Sequence, residues 1–270
     1  MTGKDLRLNK LFTKGENAVI VAIDHGMFDG PISGMTDLKS TVKKINPCVD
    51  GILLSPGMLP HVQDAFNFKG APIPIVRLNW STVYCFHWKY NDAATVVAAQ
   101  VKDAAAAGAE LVLVSLTLQT GSEKRDAENV RVYCKLANEA ARLGIPVVGE
   151  FFPPHSDDLT EDEMHKKVYA SCRILSELGA DLIKTFYTND FKKVTNSVPV
   201  PVLGLGAAKK PTQKEALQLA SDEIRDGARG VVFGRNAIQI NDPFNFQAAL
   251  CDVVKGRLTV DKALKKYSIV

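Results

Sequence analysis

Eight short apolar runs, rich in β-branched residues, alternate along this chain with segments of helical pattern, and that alternation restricts the fold more than any other feature. The runs cover residues 18–24, 51–54, 73–78, 110–118, 146–152, 181–187, 201–206 and 230–234. Continuous apolar runs suit strands covered on both faces, as in a parallel sheet flanked by helices. Helical spacing falls at 38–45, near 59–66, through an alanine-rich 93–108, and at 121–143, 160–178, 212–226 and in the tail from 243. Gly108-Ala109, Gly179-Ala180 and Gly227-Ala228 each stand just before a strand, a weak internal repeat. A glycine there takes the left-handed turn that ends a helix and returns the chain to the sheet. Eight such units predict a closed parallel (β/α)8 barrel of the TIM type, a single domain over residues 1–270, with 1–17 as a polar lead-in capping one end. An open doubly wound sheet is the alternative, but no Gly-x-Gly-x-x-Gly follows the first strand. Residues 83–91, with His87, Trp88 and Lys89, fit neither pattern and read as a loop or lid.

Composition narrows the function classes. At 270 residues and 46% hydrophobic, the chain can bury a substantial core in one domain. The net charge of +3 is spread among acidic residues, which argues against a nucleic-acid partner and against a membrane surface. The five cysteines, Cys48, Cys85, Cys134, Cys172 and Cys251, are scattered without metal or redox spacing and read as reduced thiols. With no signal-like or membrane-spanning run, the expectation is a cytoplasmic protein.

Active sites of such barrels lie at the carboxyl ends of the strands. The unusual residues collect there: Asp24 and His25, Asn79, Glu150 and Phe152, Lys184, Gly206 and Ala207, Gly234 and Arg235. Lys184 lies inside an apolar run, where its ammonium form is disfavoured and a neutral amine becomes available to attack carbonyls. The plainer reading is a strand-end lysine that reaches water or pairs with Asp181. Strand alternation turns Lys184 and Phe186 the same way, and puts Glu150 with Phe152 on one face of the preceding strand. Glu150 is then expected beside Lys184, as an acid or base or as a structural ion-pair partner. Gly204, Gly206, Ala207 and Gly234 leave small-residue turns at the two strands where barrels commonly hold phosphate, with His25 and Arg235 as further binding candidates.

Taken together, Asp24-His25-Gly26, Gly30-Pro31, Gly34, Gly121-Ser122-Glu123, the stretch 179–185 and Gly234-Arg235-Asn236 resemble in order and spacing the archaeal-type class I fructose-bisphosphate aldolases. These belong to a DeoC/LacD-like superfamily that includes aminodideoxyheptulosonate synthases and the phosphorylated-autoinducer thiolase. The resemblance implies a Schiff base between Lys184 and a phosphorylated ketose, proton transfer assisted by Asp24, phosphate held by the last two strand ends, no metal or other cofactor, and a ring-like homo-oligomer, with a decamer among the options. One departure bears on the reaction. The aldolase and synthase branches carry a proton-transferring tyrosine where this chain has Phe152, and the thiolase branch lacks it. Glu150 is the expected substitute, with His155 and Tyr187 as weaker ones. The leading expectation is a fructose-bisphosphate aldolase-like enzyme. A thiolase or transaldol-type synthase using the same lysine and a non-catalytic phosphosugar-binding barrel are the alternatives.

Overall fold

All eight runs form strands in the computed structural model, which describes residues 2–269. In chain order the strands are β1 (Ala18–Ala22), β2 (Gly51–Leu54), β3 (Ile73–Arg77), β4 (Asn79–Ser81), β5 (Thr95–Val97), β6 (Leu111–Leu116), β7 (Val147–Phe151), β8 (Leu182–Phe186), β9 (Val202–Leu205) and β10 (Gly230–Phe233). Eight of them close into a barrel in the order β1, β2, β3, β6, β7, β8, β9, β10, with every pairing parallel. Helices such as Glu123–Arg142, Glu161–Glu177 and Gln213–Arg225 cover the outside. Gly108, Gly179 and Gly227 take φ of 105°, 94° and 98°, and the alanine after each donates its N–H back into the preceding helix, to Ala104, Leu175 and Glu223. The glycine-alanine repeat is thus three left-handed helix stops, before β6, β8 and β10.

Strand alternation divides the buried side chains into two sets. Val19, Val21, Ile52, Leu54, Val112, Val114, Val147, Ile183, Val202 and Val231 pack outward against the helices. Ala18, Ile20, Ala22, Leu53, Ile73, Ile75, Leu111, Leu113, Val148, Leu182, Leu203 and Val232 fill the barrel. Leu11 joins that inner cluster with Leu8 and Phe12 packed against it, so the amphipathic start of the chain, helix Gly3–Leu11, plugs the amino-terminal end. Two residues further along their strands, the inward positions change character: Ala22 is followed by Asp24, Ile75 by Arg77, Val148 by Glu150 and Leu182 by Lys184. All four are buried.

Two expectations need correction. The alanine-rich helix does not begin at residue 93: Thr95–Val97 is a strand, antiparallel to Asn79–Ser81, and the helix is confined to Val101–Ala106. The β-branched Thr95, Val96 and Val97 prefer the pleated pairing, and the N–H groups of Ala98 and Ala99 both donate to the carbonyl of Leu78. The segment near 59–66 forms two short 3-10 turns, Leu59–His61 and Gln63–Ala65, rather than a helix. The β4–β5 hairpin stands at the carboxyl end of the barrel, and the 3-10 turn Thr82–Tyr84 at its tip carries Tyr84 back over the opening. Among the described residues, no helix is long and apolar enough to cross a membrane.

Candidate active site

At the carboxyl end the barrel opens into a cleft of about 630 Å3, counted out to its mouth, that Asp24, His25, Arg77, Tyr84, Glu150, Phe152, Lys184, Gly206, Ala207, Gly234 and Arg235 help to line. β1 delivers Asp24 because its ladder ends there: Ile23 N–H still donates to Leu53, while the Asp24 carbonyl already accepts from Met27 as the chain turns into the short helix Gly26–Asp29. β7 and β8 are in register at Glu150 and Lys184, so the two side chains project inward side by side. Lys184 Nζ lies 2.5 Å from Glu150 Oε1.

The amine does not sit in an apolar setting. Its neighbour Glu150 belongs to a buried network centred on Arg77, whose Nε donates to Asp24 Oδ2 at 2.5 Å and whose Nη2 donates to Glu150 Oε2 at 2.6 Å. Arg77 is 2% exposed, with its guanidinium 5.2 Å from the Phe28 ring centre and 4.7 Å from that of Tyr84. Two carboxylates and two cations balance in formal charge, which makes their joint burial tolerable. Burial alone raises the carboxyl pKa values, but Arg77 and Lys184 outweigh it and hold both Asp24 and Glu150 below their usual range. Burial works against the Arg77 charge, and Glu150 and Asp24 override it and raise its pKa. Asp181 is not the partner of Lys184: it binds Lys4 at 2.8 Å and accepts the Val147 N–H.

The ends of β9 and β10, next round the ring from β8, form the adjoining wall. Ala207 has a left-handed φ of 50°, and Asn236 locks this turn by donating to the carbonyls of Gly206 and Ala208 while accepting from Lys210 N. Arg235 Nη2 donates to Ala207 O at 3.0 Å, while its buried Nε has no hydrogen-bond partner among the described residues. A Cβ on Gly234 would fall 2.3 Å from His25 Cε1, so glycine is what lets His25 lie across the end of β10. Burial is the main reason the His25 pKa is lowered, with Asp24 opposing and Lys184 reinforcing. Two glycines differ from expectation. Gly206 N–H is engaged with Val232 O, and Gly204 faces the helices, where an added Cβ would meet Glu223 Cδ at 2.1 Å. Gly204 is a packing residue.

Asn79, also expected at the site, is a tether: its side chain donates to Ser115 O and accepts from Ser115 N, fastening the hairpin to β6. His155 lines a separate hollow beyond Phe152, and the Tyr187 hydroxyl is bound to Asp226 at 2.6 Å, so neither lines the cleft. His87, Trp88 and Lys89 are exposed at the rim, with the His87 N–H on Asp29 Oδ1. Arg77 and Tyr84 were not singled out from the sequence. Arg77 did leave a signal, as a charge at the same strand parity as Ile73 and Ile75. Tyr84 left none, since only the hairpin's path brings its hydroxyl to Glu150 Oε2 at 2.7 Å.

A family model described as DeoC/LacD family aldolase matches residues 18–240. An uncharacterized aldolase of Saccharolobus solfataricus is 33% identical over 98% of this chain and 99% of its own length. A 2-amino-3,7-dideoxy-D-threo-hept-6-ulosonate synthase of Halobacterium salinarum is 30% identical over 99% of this chain and 97% of its own. Among solved structures, an archaeal fructose-1,6-bisphosphate aldolase, whose catalytic lysine is covalently bound to the carbinolamine intermediate of the substrate, is 25% identical, with a TM-score of 0.78 over 94% of this chain and 100% of that one.

Proposed function

The chain belongs to the DeoC/LacD family of aldolases, and from that premise we propose that it is a Schiff-base enzyme that cleaves or forms a carbon–carbon bond in a phosphorylated ketose, in the manner of a fructose-bisphosphate aldolase. The observation that carries this reading is the Lys184 amine, facing the cleft with Glu150 Oε1 2.5 Å away. Glu150 takes the ammonium proton, the free amine adds to the ketone carbonyl, and Glu150 returns the proton to the carbinolamine hydroxyl, which leaves as water and gives an iminium. The iminium withdraws electrons from the adjacent carbon–carbon bond. As that bond breaks, the departing carbon's hydroxyl gives its proton to Glu150 or Asp24, the aldehyde leaves and an enamine remains on Lys184.

Arg77 keeps both carboxylates ionised, so a base is present at neutral pH. Arg235, whose buried Nε has no hydrogen-bond partner among the described residues, binds the phosphate together with His25 and the turns at Ala207 and Gly234. Borohydride reduction in the presence of dihydroxyacetone phosphate is the test. Wild type gains the mass of the reduced adduct and Lys184→Ala does not, while Glu150→Gln slows turnover. Absence of an adduct on wild type, or unchanged turnover in Glu150→Gln, sinks the corresponding part of the proposal.

A second reading, a synthase that passes the enamine to an acceptor rather than releasing it, is favoured by the 30% identical heptulosonate synthase. It predicts that the donor is consumed only when an acceptor aldehyde or activated carbonyl is added.

A further inference from the structure

The cleft holds a second proton-bearing group that the scheme above leaves idle. Tyr84 is 6% exposed, and its ring is held between Phe28 at 4.8 Å and Phe152 at 4.7 Å, centre to centre. Its hydroxyl donates to Glu150 Oε2, and the other oxygen of that carboxylate is the one that faces Lys184 Nζ. One carboxylate therefore links a phenol and an amine across the floor of the cleft. Position 152, on the same inward face as Glu150, is a phenylalanine and has no proton to give. Of the other tyrosines, Tyr187 is engaged with Asp226 and Tyr133 is buried between β7 and the helices.

We infer that Tyr84 is the acid that protonates the enamine carbon after bond cleavage, and that Glu150 restores its proton. The inference rests on the Schiff-base reading. When the carbon–carbon bond breaks, the hydroxyl proton of the departing carbon passes to Glu150. The aldehyde leaves, the enamine carbon takes the phenol proton, and the protonated Glu150 returns its proton to the phenolate oxygen. The electron pair of the new C–H bond comes from the enamine, whose nitrogen becomes an iminium again. Water then releases the ketone from Lys184. No proton or electron pair is left over, and Glu150 and Tyr84 both end as they began.

Two physical features suit the phenol to this task. Burial and the adjacent Glu150 raise its pKa well above the ordinary value, so it stays protonated, a donor, across the working range. The Arg77 guanidinium 4.7 Å from the ring centre opposes that shift and stabilises the transient phenolate.

Enamine protonation can be isolated from cleavage by following deuterium exchange from heavy water into dihydroxyacetone phosphate alone. In Tyr84→Phe, the ring packing is kept, the borohydride adduct on Lys184 still forms, and both exchange and turnover fall by about 100-fold or more. Exchange within about tenfold of wild type overturns the inference. So does loss of the adduct together with exchange, which would make Tyr84 a positioning residue for Lys184. A wild type that forms no adduct refutes the Schiff-base reading itself and the inference with it. If Tyr84→Phe does not fold, 3-fluorotyrosine at position 84 keeps the hydroxyl and volume. Its more acidic phenol shifts the basic limb of the exchange rate's pH profile downward, and an unmoved limb overturns the inference.

Discussion

The two halves of the barrel interior are built on the same strands and solve opposite problems. The lower half, from Ala18 and Ile20 on β1 round to Val232 on β10, is wholly apolar and closed from below by Leu11. One inward position higher, Asp24, Arg77, Glu150 and Lys184 replace aliphatic side chains with charges that are equally buried. A strand alternates regardless of what it carries, so the apolar half acts as a jig: packing fixes the strand register, and register places four charged groups within 2.5 to 2.6 Å of one another in sequence around the ring. Buried ion pairs contribute little net stability, so the upper half depends on the lower half for its geometry.

This division of labour predicts different responses to mutation. Lys184→Ala should lower turnover by roughly 10⁴-fold or more, and because it leaves Glu150 Oε1 without its cation the melting temperature should fall too, though less than on loss of Arg77, which serves two carboxylates. Arg77→Met should cost about 3–5 kcal/mol in urea titrations at neutral pH, since it strands two buried carboxylates. The lower half should lose stability without losing chemistry: Leu182→Ala should cost about 2–5 kcal/mol, and its turnover at a temperature where the variant remains folded should stay close to wild type. A Leu182→Ala variant that keeps its stability but loses catalysis would break the distinction.

The comparison extends to pH. Asp24 and Glu150 have folded-state pKa values below their unfolded ones, so the stability they contribute is fully present above the unfolded carboxylate range and is lost as pH falls through the folded values. Denaturant titrations stepped down from about pH 6 should show that loss, and Asp24→Asn should flatten it. Glu223 is the contrary case. It is fully buried between the helix Gln213–Arg225 and β9, with neither oxygen hydrogen-bonded among the described residues. Burial raises its pKa well above the ordinary value, with Lys210 opposing and Asp222 reinforcing. An acid raised on folding makes the protein less stable as pH climbs from the unfolded value toward the folded one. Glu223→Gln should therefore stabilise by roughly 1–3 kcal/mol at about pH 8 and by almost nothing at about pH 4, as read by thermal melts at the two values.

How far the sequence reveals these features depends on whether strand parity or loop geometry decides them. The eight runs, the helix-stop glycines and the meeting of Glu150 with Lys184 all follow from periodicity and parity, and all could be read directly from residue order. The charged environment of Lys184 could not, because Arg77 and Asp24 reach it from strands distant in the chain, and a local apolar run says nothing of cross-barrel neighbours. The hairpin was hidden by its alanines, which favour a helix in isolation. Thr95–Val97 found a better partner in Asn79–Ser81, and tertiary pairing overrode propensity. Tyr84 was beyond reach for the same reason, since its position at the cleft depends on a turn whose path no periodicity encodes.

Tyr84 hangs from a surface excursion and not from a wall of the barrel. Surface excursions accept changes in length that a closed ring of strands does not. Chemistry carried there can be altered by lengthening, shortening or exchanging one loop, while the lysine and its carboxylates stay where they are. A scaffold of this design can diversify its reactions by editing its periphery, without re-solving its core.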